Sequence, residues 1–425
     1  MISSLLIIVF VLGYIAIAFE HPLKLNKAAS ALITGVICWT IYILQSQSAH
    51  TVSEELLHHL GEIASILFFL LGAMTIVELI DSHNGFDIIT QKIKTTSKTK
   101  LLFIVITLTF FLSAILDNLT TAIVMTSLCS KLLSEKEDRL WFVGMIVIAA
   151  NAGGAWSPLG DVTTTMLWIG GQITALNIMK QLILPSLAAC IIPALLVAYR
   201  FRGQQITGMT RPVSTVKEIR DGRIILFAGI GFLIFVPVFK TLTHLPPFMG
   251  MLLALGFMWV ITTFIHKGKE SEIAERYTVA RALQKVDTPS ILFFLGILLA
   301  VSALQSYGLL KGIATFLSIT FNNDYLIGAA LGLLSAIVDN VPLVAASQGM
   351  YDLTTYPTDH SFWEFLALTT GTGGSSIIIG SAAGVAVMGI EQIKFMWYLK
   401  KIGWLALMGF IAGILVFLLQ MQLTQ

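Results

Sequence analysis

Apolar runs of about 17–20 residues recur along the whole chain, and each is long enough to cross a ~30 Å hydrocarbon layer as a helix. No water reaches a backbone N–H or C=O at that depth, so each span has to satisfy its polar groups within itself, as a helix does. A buried core helix would explain one such run, but not a long series. Composition agrees: 56% of the 425 residues are hydrophobic and 12% charged, against roughly 25% charged in soluble domains. The fold class is therefore an all-α polytopic membrane protein. The first nineteen residues contain Ala16-Ile17-Ala18, which resembles a signal-peptidase site. No basic residue precedes that apolar stretch, so it is read as a mature span. No phosphate-binding loop is present, which leaves an ATP-driven pump without a motor. Cys38, Cys129 and Cys190 are far apart in apolar text and read as packing residues, with no metal spacing.

The chain repeats itself. Ser65-Ile66-Leu67-Phe68-Phe69-Leu70 recurs as Ser290-Ile291-Leu292-Phe293-Phe294-Leu295. Ser113-Ala114-Ile115-Leu116-Asp117-Asn118 recurs as Ser335-Ala336-Ile337-Val338-Asp339-Asn340. Gly153-Gly154 with Gly160 recurs as Gly373-Gly374 with Gly380, so the offsets are 225, 222 and 220. Three matches in register mean duplication: residues 1–200 form the first repeat, 201–223 a linker and 224–425 the second repeat.

Lys and Arg mark cytoplasmic loops. Lys24 and Lys27, then Lys92, Lys94, Lys98 and Lys100, place those loops inside, with the 46–62 loop outside. The 200–223 stretch carries Arg200, Arg202, Arg211, Lys217, Arg220 and Arg223 and is also inside, as is the next loop with Lys267, Lys269, Arg276, Arg281 and Lys285. Spans 224–240 and 249–265 bracket an outer turn at Pro246-Pro247, and no Lys or Arg occurs between Gly312 and Ile393. The first-half counterpart of that stretch is flanked by basic loops. With five crossings per half, the two repeats are expected to be inverted and both chain termini to lie outside. Inverted repeats place substrate sites near the midplane of a secondary transporter.

Two kinds of helix break are expected in each half. Residues 101–130 would make a helix of about 45 Å, too long for one crossing, and both flanks are basic. A re-entrant hairpin with Asp117-Asn118 at its tip fits, with a twin over 325–350 tipped by Asp339-Asn340-Val341-Pro342. A broken helix is expected within 141–176, at Asn151-Ala152-Gly153-Gly154-Ala155-Trp156-Ser157-Pro158-Leu159-Gly160-Asp161, reopening at Thr163-Thr164. Its twin, within 362–393, breaks at Thr372-Gly373-Gly374-Ser375-Ser376. Unwound backbone at membrane depth lines cavities and ion sites.

An ionised carboxylate at the bilayer centre costs about 2.5–3.5 kcal/mol. Asp117 and Asp339 either help bind a small cation, with Asn118, Asn340, Thr120 and Thr121 supplying neutral oxygens, or cap helices at the hairpin tips. Their recurrence at equivalent breaks favours the cation. Asp161 is a third candidate, or the cap of the following half-helix, and its counterpart is Ser381. A carboxyl that holds either a proton or a metal ion couples their opposing fluxes. His58-His59 with Glu54, Glu55 and Glu62 reads as a solvated amphipathic stretch, and Trp141, Trp156, Trp168, Trp363, Trp397 and Trp404 as interfacial anchors.

At these motifs the sequence resembles the NhaD-type sodium/proton antiporters of the ion transporter superfamily. The matching text is Gly13-Tyr14 with Glu20-His21-Pro22, Leu116-Asp117-Asn118-Leu119-Thr120-Thr121, the Asn151 to Pro158 stretch with Gly160-Asp161, and Val338-Asp339-Asn340-Val341-Pro342. The resemblance runs from the first span to the last. It implies exchange of cytoplasmic Na⁺ or Li⁺ for external H⁺ in a bacterial inner or an organellar membrane, with no cofactor and no nucleic acid. It also implies a homodimer whose hairpins and broken helices move as a transport domain. Na⁺ is then expected at Asp117, Asn118, Asp339 and Asn340. The alternative is a carrier of a small oxyanion or organic acid, of arsenite or dicarboxylate type. Dicarboxylate relatives carry Ser-Asn-Thr at the tips, whereas this chain carries Asp-Asn at both.

Overall fold

The computed structural model describes residues 2–424 except 19, 47, 87, 89–92, 94, 207–215 and 268–276. Lys92, Lys94, Arg211, Lys269 and Arg276 of the basic loops lie outside the described residues, as does the side chain of Lys217. The first half contains α1 (Ile2–Ala18), α2 (Lys27–Gln45), α3 (Ala49–Ser82), α4 (Lys98–Leu116), α5 (Asn118–Leu132), α6 (Lys136–Ala155), α7 (Val162–Ile169) and α8 (Ala175–Arg200). The second contains α9 (Val216–Thr243), α10 (Pro247–His266), α11 (Val279–Lys285), α12 (Thr288–Ser306), α13 (Leu309–Phe321), α14 (Asp324–Leu334), α15 (Asn340–Met350), α16 (Ser361–Gly373), α17 (Ala382–Glu391) and α18 (Trp404–Thr424). Among the described residues, eight helices are long and apolar enough to cross a membrane.

Contacts repeat between the halves. Helix α1 packs on α2 as α9 packs on α10; α2 packs on α12 as α10 packs on α3; α4 packs on α6 as α14 packs on α16. The last long helices, α8 and α18, pack on each other. The repeated glycines are explained by these packings. A Cβ on Gly153 would strike the carbonyl oxygen of Phe110, and one on Gly373 that of Gly332. The same pair of backbones thus touches in each half, and only glycine permits the approach.

Each Asp-Asn segment joins two helices whose far ends lie side by side. Lys98, at the start of α4, places Nζ 2.5 Å from Asp138 Oδ2, six residues beyond the end of α5. In the second half Tyr356, six residues beyond α15, donates its hydroxyl to Asp324 at the start of α14 (2.6 Å). The basic segments gather in patches. Ser97 bridges to Gln205, Arg200 Nη2 sits 2.7 Å from Glu137, and Lys285 Nζ sits 2.7 Å from Glu78.

Several boundaries differ from expectation. Residues 49–62 of the expected outer loop are absorbed into α3, a 34-residue helix capped by Ser48, because their polar residues already recur at helical spacing. The linker is helical from Val216 onward. Helix α6 runs through Gly153-Gly154 to Ala155, so the first break spans 156–161. Helix α16 likewise runs to Gly373, and the second break spans 374–381 with a short 3₁₀ turn at Ile378–Gly380. The tryptophans divide. Trp404 is exposed, but Trp141, Trp156, Trp168 and Trp363 are buried in protein, where an indole contributes packing area; Trp363 Nε1 donates to Tyr356 O at 3.0 Å, while Trp156 Nε1 has no hydrogen-bond partner among the described residues.

Candidate functional site

Four half-helices begin at one place. Asp117 caps α5, accepting from Thr120 N at 2.7 Å; Asp339 caps α15, accepting from Val341 N at 3.2 Å. Asp161 caps α7, accepting from Thr163 N at 3.0 Å; Ser381 caps α17, accepting from Gly384 N at 3.2 Å. Asp161 and Ser381 share one extended backbone shape, with φ/ψ of −146°/147° and −145°/150°. The sequence forms these starts because Asp and Ser accept from free first-turn N–H groups.

The first residues inside α5 and α15 reach across to Asp161. Asn118 Nδ2 donates to Asp161 Oδ2 (2.8 Å) and to Asn151 Oδ1 (3.1 Å). Asn340 Nδ2 lies 3.4 and 3.3 Å from the two Asp161 oxygens. Asn151 Nδ2 donates to Ser375 Oγ (2.9 Å) and Ser381 Oγ (3.0 Å). Asp161 is 2% exposed, and Asn118, Asn151 and Asn340 are equally secluded. Both tips and both breaks thus meet in one buried network with Asp161 at its centre.

The other expected site residues fall into groups. Asp117 is held by Thr120, whose Oγ1 donates to Oδ2 at 2.8 Å; it and Asp339 are half-buried. Thr121, Thr163 and Ser376 are buried with hydroxyls that have no hydrogen-bond partner among the described residues. An unmet buried hydroxyl costs about 1–3 kcal/mol; Thr126 and Ser186, outside the network, share the condition. Ser157, Thr164 and Thr372 instead bond backbone carbonyls (Ala114 O, Asp161 O and Leu368 O). Pro158 contributes its carbonyl to Thr165 Oγ1, Pro342 sits in the first turn of α15, and Gly153, Gly154, Gly373 and Gly374 serve backbone packing. Sequence reasoning did not count two participants in the site. Ser381 was detectable as the repeat counterpart of Asp161. Tyr398, whose hydroxyl donates to Ser375 O (2.9 Å), gives no signal in the sequence.

Charge decides what the site can hold. Each helix N-terminus carries about +0.5 charge, so four supply roughly +2; the three carboxyls, when all are ionised, would supply −3 and leave a balance of about −1. One small cation or one proton neutralises that; an anion does not. Among the described residues there is no cluster of three or more His, Cys, Asp or Glu arranged for a tightly held metal. The oxygens on offer are carboxylate, amide and hydroxyl, which suit a hard, weakly bound ion.

A family model described as citrate transporter matches residues 14–373. The chain is 48% identical over 97% of its length to sodium/proton antiporter 1 of Arabidopsis thaliana, of which the match covers 71%. It is 44% identical to sodium/proton antiporter 2 of the same plant, covering 97% of this chain and 98% of that protein. It is 31% identical to the Na⁺/H⁺ antiporter NhaD of Vibrio cholerae, covering 97% and 91%.

Proposed function

The chain belongs to the family described as citrate transporters and, within it, to the NhaD-type sodium/proton antiporters, and on that premise we propose that it exchanges cytoplasmic Na⁺ or Li⁺ for external H⁺ at Asp161. It is a multi-pass membrane transporter and not an enzyme. The observation that carries the proposal is the convergence of Asn118 and Asn340 on one buried carboxylate. With Asp117 and Asp339 at the same helix starts, the site balances near one negative charge. A proton on Asp161 removes that charge and the cation's ligand together, so the two ions exclude each other and exchange.

The two Asp-Asn segments act as re-entrant hairpins from opposite faces of inverted repeats. The paired ends of each segment and the repeated packings support this. The hairpins, broken helices, α8 and α18 form the moving body of each protomer in a homodimer, with both chain termini outside. Citrate is disfavoured, because an anion would meet three carboxylates; Ser381, the one uncharged cap, is the kind of residue an anion site would use throughout.

In everted vesicles, Na⁺ or Li⁺ should collapse a preformed pH gradient, and Asp161→Asn should reduce that response at least about a hundredfold, as loss of a required charge in a dry site does. The apparent KM for Na⁺ should rise by up to roughly tenfold per unit fall in pH, since protons and Na⁺ compete by mass action. An Asp161→Asn carrier with native response, or uptake of labelled citrate in place of Na⁺ exchange, would overturn the reading.

A further inference from the structure

Helices α1, α2, α3, α9, α10 and α12 pack chiefly on one another, while α4–α8 and α14–α18 form a second group around the ion site. Few polar side chains cross between them. One that does is Lys240, in the last turn of α9. Its ammonium donates to Trp168 O at 2.8 Å and stands 4.7 Å from the centre of the Trp168 ring. Trp168 is 2% exposed and is also met edge-on by Phe69 of α3, with ring centroids 6.2 Å apart.

Trp168 lies in the last turn of α7, the half-helix whose first turn is capped by Asp161. At eight residues α7 is about 12 Å long, so Lys240 grips the far end of the short rod that carries the ion-site carboxylate. A cation at a helix C-terminus is attracted to the negative end of the helix dipole, and its bond to a carbonyl is charge-assisted. The π face adds a second attraction. The contact also joins the two repeats, since α9 belongs to the second and α7 to the first.

We propose that Lys240 is a conformational latch that holds α7, and with it Asp161, against the α3–α9–α10 group in this state and releases it when the carrier changes the side to which its site opens. This rests on the reading of the chain as an alternating-access carrier, with Asp161 in the ion site. Lys240 touches no ion; it is a positioning residue. While it holds, this state is favoured; removing it lets the other state gain population. A charge-assisted bond of this kind shifts such an equilibrium by roughly tenfold or more.

The test uses the full-length carrier with Cys38, Cys129 and Cys190 replaced and Leu119→Cys, at the hairpin tip, as reporter. A membrane-impermeant thiol reagent is applied from each face in turn. Lys240→Met should change the ratio of the two labelling rates by about tenfold or more and move the apparent KM for Na⁺, whereas Lys240→Arg, which keeps the charge, should stay near native. An unchanged ratio in Lys240→Met would overturn the proposal. Independently, with Lys240 in place, Phe69→Cys and Trp168→Cys joined by a short bifunctional thiol reagent should arrest exchange. Continued exchange after cross-linking would overturn the latch however the lysine variants behave. Failure of the Asp161 reading looks different, because it leaves Na⁺ exchange intact in Asp161→Asn.

Discussion

Asp117 adopts φ 91° and ψ 158°, while its counterpart Asp339 has φ −47°. A residue with a side chain in the former region carries about 1–3 kcal/mol of strain, tolerated where the surroundings over-determine it. Here the surroundings are Thr120, which grips both carboxylate oxygens, and a single-residue break between α4 and α5. Asp117→Ala should lose the cap and keep the strain; Asp117→Gly should lose the cap and relieve the strain. The glycine variant is therefore expected to melt higher than the alanine variant by the equivalent of about 1 kcal/mol, read as Tm in detergent, with Na⁺ exchange impaired in both. Equal melting temperatures would mean that the unusual backbone stores no strain.

At the scale of elements, the breaks are held by backbone contacts and clasps in place of regular hydrogen-bond ladders. Gly153→Ala and Gly373→Ala would each press a methyl onto the facing carbonyl, so each should destabilise the folded carrier by about 1–3 kcal/mol. Thermal unfolding in detergent should reveal the loss in both variants, and similarly in each if the two halves are packed alike. Further out, Thr174 donates through both N and Oγ1 to Asp359, and Arg139 Nε donates to Glu391 at 3.2 Å. Each clasp ties the end of one half's broken helix to the start of the other's. The positions of the breaks were legible in the sequence because Gly, Pro and Asp-Asn punctuate apolar text. Their edges were less so. Gly153-Gly154 reads as a helix breaker until Phe110 lies against it, and residues 49–62 read as a loop until they continue α3.

On the scale of the whole molecule, the site is a sum of four helix starts and three carboxylates, and changing the second term should change the cargo. Replacing Asp117, Asp161 and Asp339 together by Ser, the residue already present at 381, moves the balance from about −1 to about +2. That triple variant should lose its pH response to Na⁺ completely and bind labelled di- or tricarboxylates in proteoliposomes. Retained Na⁺ exchange would show that the charge sum does not select the ion. The acids themselves stood out in the sequence as charges in apolar text. The central place of Asp161 did not, because it depends on amides 43 and 179 residues away in the chain. Lys240 was hidden for the same reason: a lysine at the end of an apolar run is ordinarily an interfacial residue, and only the fold brings Trp168 beneath it.

Helix α3 has a further consequence. Its 34 residues make a rod of about 51 Å, well beyond the ~30 Å hydrocarbon thickness, and its outer turns carry His50, Glu54 and His58 in the open. Helix α8 runs for 26 residues, about 39 Å. A bilayer that matches one helix therefore mismatches the other, and mismatch costs fractions of a kcal/mol per Å. Acyl-chain length thus becomes a setting on the carrier: thicker membranes favour an upright α3, thinner ones a tilted one, with no change in any residue of the buried network.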